Sequence, residues 1–287
     1  LALAGRRVVA DAGANALIYG AAKGIGRAVA LEFARRGAKV AVADIDEAAA
    51  SDTAAAIVAT GGEAIALVAN VLSDESVRAA AGAAAAAFGA IDIVMNNVGG
   101  MLNGHPEDIP MSEWQRMMDL NYFAAVRSVS LFLPKMQTRG SGHIVNTASF
   151  AGLYPYAASR IPYAAAKAAV IAMTESLAIY LQPQGIRVSC LIPGPVLTGV
   201  LDTMTSWTPD CPMRGPGSEL EIKQVDDVAD TLANGMRDGK VLIPTDEKAW
   251  DIVRRWAASP DAFIQAKIDQ FASGDSGRPI VPQALRR

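Results

Sequence analysis

Cysteine is scarce: only Cys190 and Cys211 occur in 287 residues. That is too few for a disulfide framework, and no Cys/His cluster has zinc spacing, so no metal site is expected. Charge of one sign is also lacking. The chain carries 26 Lys and Arg against 29 Asp and Glu, a formal net charge of −3, with no basic block. An electrostatic nucleic-acid binder is thereby excluded. No apolar run reaches the ~18–20 residues of a spanning helix. The longest candidate, Ala164–Leu181, is broken by Lys167 and by Thr174, Glu175 and Ser176. The apolar opening Leu1–Ala4 meets Arg6 and Arg7 at once and does not read as a signal peptide. A reducing, cytoplasmic setting without a membrane partner is the expectation. Repeats, low-complexity linkers and charge blocks are missing too, so one domain is expected.

What is present is a core-forming composition. Hydrophobic residues make up 51% and charged residues 19%, which excludes disorder. Strand-like and helix-like segments alternate. The strands read as Ala16–Tyr19, Lys39–Ala43, Ala64–Ala69, Ile91–Met95, His143–Thr147, Val188–Ile192 and Val241–Ile243. The helices read as Ile25–Arg36, Glu47–Ala59, Asp74–Phe88, Ser112–Gln137, Ala164–Leu181 and Asp226–Arg237. Several strands are nearly continuous apolar runs, as parallel strands covered on both faces should be. The pattern predicts right-handed βαβ units and an α/β, doubly wound, seven-stranded and mostly parallel sheet with helices on both faces. Such sheets bind ligands beyond the carboxyl ends of their strands.

Tyr19-Gly20-Ala21-Ala22-Lys23-Gly24-Ile25-Gly26 follows the first strand and opens a helix. Glycines let the chain turn tightly and let a pyrophosphate approach the helix N-terminus. A plain strand-to-helix turn is the alternative. Asp44 ends the second strand, 24 residues beyond Gly20. A carboxylate there accepts both ribose hydroxyls of NAD and repels a 2′-phosphate. Ile45 adds no cation, whereas Lys23 is a dissenting feature because it could reach a phosphate.

Tyr163 and Lys167 stand four apart on one helix face. A phenol has a pKa of ~10, and lowering it by about three units needs ~4 kcal/mol. One cation at ~4 Å in an effective dielectric of ~20 supplies about that much. The lysine is therefore read as the device that makes the phenol acidic. A second copy of the spacing, Tyr19 to Lys23, lies in the glycine loop, but only Tyr163 has a partner such as Ser149, which follows the fifth strand. Asn121 lies mid-helix with no local benefit there. It either holds a water near Lys167 or braces the bundle. Asn96-Asn97-Val98-Gly99-Gly100 suits both cross-bracing and a cofactor wall.

Together these residues resemble the short-chain dehydrogenase/reductase family. The resemblance rests on Gly20-x-x-x-Gly24-x-Gly26, Asn96-Asn97-x-Gly99, Asn121, Ser149, Tyr163-x-x-x-Lys167 and Pro193-Gly194-x-x-x-Thr198, in the family's order and over roughly residues 16–200. It implies a single Rossmann-type domain with a cofactor half over about 16–150 and a catalytic half over about 151–245. A C-terminal helical extension follows over about 246–287. It implies Tyr163 as general acid/base, Lys167 as its electrostatic partner and ribose contact, Ser149 as orienter of the substrate oxygen, and Asn121 in the proton relay. NAD is the implied cofactor, contacted by Gly20, Lys23, Gly24, Ile25, Gly26, Asp44, Ile45, Asn70, Val71, Asn97, Gly99, Tyr163, Lys167, Pro193, Gly194, Val196 and Thr198.

Some positions depart from the family pattern. Tyr19 replaces a usual Thr, Val98 a common Ala and Asn70 a common Asp, and the gap from Ser149 to Tyr163 is about one residue longer. Residues 1–15 and the C-terminal helices, Glu247–Trp256 and Asp261–Phe271, are atypical. The apolar residues Val200, Leu201, Met204, Trp207 and Met213, with Met101, Phe150, Leu153, Tyr154 and Tyr156, suggest an apolar or aromatic secondary alcohol or ketone. They also suit simple lid packing. His105 and His143 read as structural, as do Trp250 and Trp256, with a substrate contact as the alternative for His105. The all-round apolar helix from Ala164 predicts a homodimer or homotetramer, with burial inside the monomer as the alternative. An NADP-dependent ketoreductase and a non-catalytic dinucleotide-binding sensor or scaffold are the competing functions.

Overall fold

The computed structural model describes residues 13–199 and 204–282. In chain order the elements are β1 (Asn15–Tyr19), α1 (Gly24–Arg35), β2 (Lys39–Asp44), α2 (Glu47–Ala59), β3 (Ala64–Val68), α3 (Asp74–Phe88), β4 (Ile93–Asn96), β5 (Leu102–Asn103), α4 (Met111–Met118), α5 (Ala124–Arg139) and β6 (Gly142–Thr147). Then come α6 (Ile161–Leu181), β7 (Ile186–Ile192), β8 (Thr205–Ser206), α7 (Val225–Arg237), β9 (Leu242–Pro244), α8 (Lys248–Ala258) and α9 (Pro260–Ala272). Seven strands form one sheet in the order β3-β2-β1-β4-β6-β7-β9, and every pairing is parallel.

Side chains alternate across this sheet with period two. Ala16, Ile18, Val40 and Val42 face α1, α2 and α7, where Phe33, Ile57 and Leu232 complete one core. Leu17, Tyr19, Ala41 and Val94 face α3, α5 and the end of α6, where Val77, Phe132 and Leu181 complete the other. Registers bring the strand ends into line: Tyr19 lies beside Ala43 and Asn96, Asn96 beside Asn146, and Thr147 beside Leu191. The loops that follow therefore open along one edge.

Three features differ from the sequence reading. The helix expected over 112–137 is two helices, α4 and α5, joined by a π-turn at Asp119–Phe123. A parallel ribbon of β5 and β8, too short to show in the sequence pattern, pins residues 205–206 beside 102–103. The 24-residue segment Ile161–Gln184 does have the length, and over an 18-residue window the mean hydropathy of 1.4, to cross a membrane. Its composition has another cause here, because Val170, Ile171, Ala178 and Leu181 are buried in two of the cores. The C-terminal helices cover the catalytic half: Ala249, Ile252 and Trp256 of α8 and Phe263 and Phe271 of α9 pack with Tyr154, Tyr156 and Leu220.

Candidate active site

After β1 the chain turns at Gly20 and Gly24, with φ +78 and +55. Gly26 is required by space: a Cβ there would lie 1.9 Å from the Gly20 carbonyl oxygen and 2.7 Å from Asn97 Nδ2. The helix that follows is left open. Asp46 caps α2 by accepting from the Ala49 N–H at 3.1 Å, and Ser73 caps α3 by accepting from the Ser76 N–H at 3.2 Å. No side chain caps α1, and its first turn holds no acid. Its orphan N–H groups and dipole suit an anion. Asn97 braces this turn: Nδ2 donates to the Gly20 oxygen at 3.0 Å, and Oδ1 accepts from Thr147 Oγ1 at 3.2 Å. Val98 packs on the turn, 2.9 Å from the position of a Gly20 Cβ. Gly26→Ala is expected to destabilise the protein by about 3 kcal/mol, the upper range for overpacking. Urea denaturation checks it, and a loss under about 1 kcal/mol would mean the turn relaxes freely.

Asp44 stands at the end of β2. Its Oδ2 accepts from the Ala22 N–H and its Oδ1 from the Asp46 N–H, both at 3.1 Å. Each oxygen keeps acceptor capacity for a ribose hydroxyl. Ile45 beside it is exposed. Lys23, the cation of the loop, pairs with Asp46 at 2.7 Å, and that bond raises the lysine and lowers the acid. Asn70 is exposed, and its Oδ1 accepts from the Leu72 N–H at 3.0 Å, so only part of its acceptor capacity is left for an adenine. Val71 is buried next to it.

Lys167 is buried on α6, and its Nζ donates to the Thr147 carbonyl at 2.8 Å. Nζ lies 5.8 Å from the centre of the Tyr163 ring. Burial pulls the ammonium group down to about 8. The Tyr163 phenol is raised by burial, while a hydrogen bond with Ser149 and the charge of Arg160 pull it back. Besides the Lys167 ammonium, which is turned to that carbonyl, the Arg160 guanidinium acts on the phenol, a cation the sequence reading did not single out. The other Tyr-x-x-x-Lys copy forms no pair. Tyr19 donates to the Val77 oxygen at 3.2 Å inside the core, while Lys23 is exposed.

Asn121 lies in the π-turn, which resolves its awkward place in a regular helix. Its Nδ2 donates to the Gly100 and Met117 oxygens at 3.0 and 3.1 Å, and its Oδ1 accepts from the Gly100 N–H at 3.2 Å. The amide therefore braces the loop after β4, and a water relay through its side chain is left with one acceptor site. A Cβ at Gly99 would lie 2.7 Å from Asn121 Oδ1 and 3.1 Å from Lys167 Nζ, so these three residues meet. After β7, Pro193 accepts from the Phe150 N–H at 2.8 Å and the Gly194 N–H donates to Thr245 Oγ1 at 2.9 Å. Gly194 abuts Phe150, whose ring lies 2.5 Å from the position of a Cβ. Val196 bridges to Lys223, and Thr198 returns to the glycine turn, 3.7 Å from the position of a Gly24 Cβ.

The apolar surroundings are divided. Phe150, Tyr154 and Tyr156 are buried, and the Tyr154 hydroxyl donates to the Pro216 oxygen at 3.2 Å, so these aromatics pack the lid. Met101, Leu153, Met204 and Met213 are half-buried and Trp207 is exposed. Val200 and Leu201 lie outside the described residues. Tyr163 packs both against the buried aromatics and against Leu102, Ile109 and Met117, the cluster that Trp114 also joins. That cluster escapes the sequence because it joins β5, a loop and α4. His105 is exposed, and His143 is buried with Nε2 2.9 Å from Ser189 Oγ. No metal-ligating cluster occurs among the described residues.

The sequence profile of short chain dehydrogenases matches residues 14–209. The chain belongs to the short-chain dehydrogenase family. Among relatives of this dehydrogenase, 2,5-dichloro-2,5-cyclohexadiene-1,4-diol dehydrogenase LinX of Sphingobium indicum is 33% identical over 216 residues, spanning 74% of this chain and 86% of that one. Cyclohexanol dehydrogenase of Acinetobacter sp. (strain SE19) is 38% identical over 188 residues, spanning 65% of this chain and 74% of that one. A short chain dehydrogenase/reductase of Burkholderia phymatum, solved in complex with NAD, superposes with a TM-score of 0.76 at 29% identity, covering 88% of this chain and 95% of that one.

Proposed function

We propose that this dehydrogenase is an NAD-dependent oxidoreductase that interconverts a cyclic secondary alcohol and its ketone, with Tyr163 as general acid/base. The observation that carries the reading is one sheet edge holding Ser149 bonded to Tyr163, a buried Lys167, the uncapped start of α1 and Asp44. The nature of two relatives, a cyclohexanol and a cyclohexadienediol dehydrogenase, supports a ring-shaped alcohol.

Gly20, Gly24, Ile25 and Gly26 would hold the pyrophosphate, and Asp44 the adenosine ribose with Ile45 beside it. Asn70 and Val71 would flank the adenine. Gly99, Pro193, Gly194, Val196 and Thr198 would shape the nicotinamide end. When bound, NAD supplies the hydride acceptor for oxidation. Ser149 orients the substrate oxygen, and Tyr163 takes its hydroxyl proton, returning it in the reverse direction. Lys167 sets a positive group under the same floor as Gly99. Half-buried Trp114, backed by the buried cluster of Leu102, Ile109 and Met117, would receive apolar substrate. Exposed Ile179 and Tyr180 on α6 support a homodimer or homotetramer, acting in the cytoplasm.

Cofactor choice follows from Asp44 and from the Lys23–Asp46 pair, which already engages the loop's cation. Cyclohexanol and related ring alcohols are expected to reduce NAD, read as absorbance of the reduced cofactor. NADP should be at least about tenfold poorer in kcat/KM, and Asp44→Ala should weaken NAD about tenfold or more, as for hydrogen bonds to a charged group. Tighter NADP binding, or an indifferent Asp44→Ala, would refute the NAD assignment.

A further inference from the structure

Arg160 stands immediately before α6, one turn before Tyr163, and is only 5% exposed. Its Nη2 donates to the Arg214 carbonyl at 2.7 Å, and its guanidinium carbon lies 5.8 Å from the centre of the Tyr156 ring. Its Nε has no hydrogen-bond partner, and neither does the hydroxyl of the adjoining Ser159, itself 4% exposed. Among the described residues no carboxylate pairs with Arg160. The contrast inside the same molecule is Arg36, a mostly buried arginine that meets both Glu32 and Asp230. Asp108, on the neighbouring loop, is turned to Thr208 Oγ1 at 2.6 Å. Arg214 rests 4.7 Å over the Phe271 ring, also without a carboxylate among the described residues.

A guanidinium out of water and without a counter-charge is unfavourable unless something anionic reaches it. Its planar fork is suited to a carboxylate, and the Nε edge is the one left without a partner. We infer that Arg160 is a specificity-determining residue that receives a carboxylate carried by the alcohol substrate, with the Ser159 hydroxyl beside it. The inference rests on the oxidoreductase reading above and narrows it to an alicyclic hydroxy acid or its oxo acid. The apolar ring would lie against Trp114, with the acid group toward α6.

The test compares cyclohexanol with 3-hydroxycyclohexane-1-carboxylate on the wild type, Arg160→Gln and Arg160→Lys. The wild type should favour the hydroxy acid at least about tenfold in kcat/KM. Arg160→Gln should cut the hydroxy acid about a hundredfold, as loss of one partner of a buried charge pair does, and collapse the preference; Arg160→Lys should restore part of it. A wild type that favours cyclohexanol, or an Arg160→Gln that lowers both alcohols by one factor, overturns the inference, because a residue that only ties the lid to α6 would act on both alike. If Arg160→Gln does not fold, the wild-type preference and Arg160→Lys decide. The oxidoreductase reading fails separately, if no alcohol of either kind reduces NAD or NADP. Calorimetric binding of cyclohexanecarboxylate to the protein with NADH then decides Arg160: binding lost in Arg160→Lys or Arg160→Gln upholds it, and equal or absent binding overturns it.

Discussion

Tyr163→Phe is expected to lower kcat on cyclohexanol about 10³-fold, within the range that a positioned acid/base contributes, while NADH still binds. The phenyl ring keeps its packing with Leu102 and Met117, so the loss is confined to one hydroxyl and its bond with Ser149. Burial holds that hydroxyl above its ordinary range, and Ser149 and Arg160 work against it. Alcohol oxidation by the wild type should therefore rise with pH, because the phenol must be free to accept a proton. The variant's residual rate should lack that rise. Steady-state rates from pH 6 to 10 check both points, with fluorescence titration of NADH as the control. Near-normal turnover would remove Tyr163 from the chemistry, and lost NADH binding would make the defect structural.

The sheet and its crossing helices are legible in the sequence because their burial is two-sided and continuous, as in β2 and β7. The glycine turn is legible because Gly26 has no substitute in the space available. The π-turn at Asp119–Phe123 is not, since one extra residue in a turn leaves the apolar periodicity almost unchanged. Partnerships among polar groups are the other hidden layer. Lys23 and Asp46 are 23 apart, and Asn97 reaches back 77 residues to Gly20. Nothing local distinguishes such a brace from a ligand contact. Arg160 is hidden for a related reason: a lone arginine before a tyrosine reads as a solvated helix start until its burial is seen.

Lys167→Met is expected to make the protein without added cofactor more stable by about 2 kcal/mol at pH 7, and to abolish turnover. The depression of this lysine from 10.5 to about 8 amounts to about 3 kcal/mol against folding with the group charged. Losing the bond to the Thr147 oxygen offsets about 1 kcal/mol of the gain. The pH dependence has a definite sign. Below the folded value both states bind the proton and the full cost is present. Between about 8 and 10.5 the unfolded chain binds more protons than the folded one, so stability climbs with pH. The methionine variant has no such group, and its stability should lose this climb. Urea denaturation of both proteins at pH 7 and pH 10 measures the difference directly. A variant less stable than the wild type at pH 7 would show that the ammonium is a structural support. The expected result points the other way: α6 carries a destabilising charge in its buried face, as a residue kept for the proposed reaction and not for the fold would.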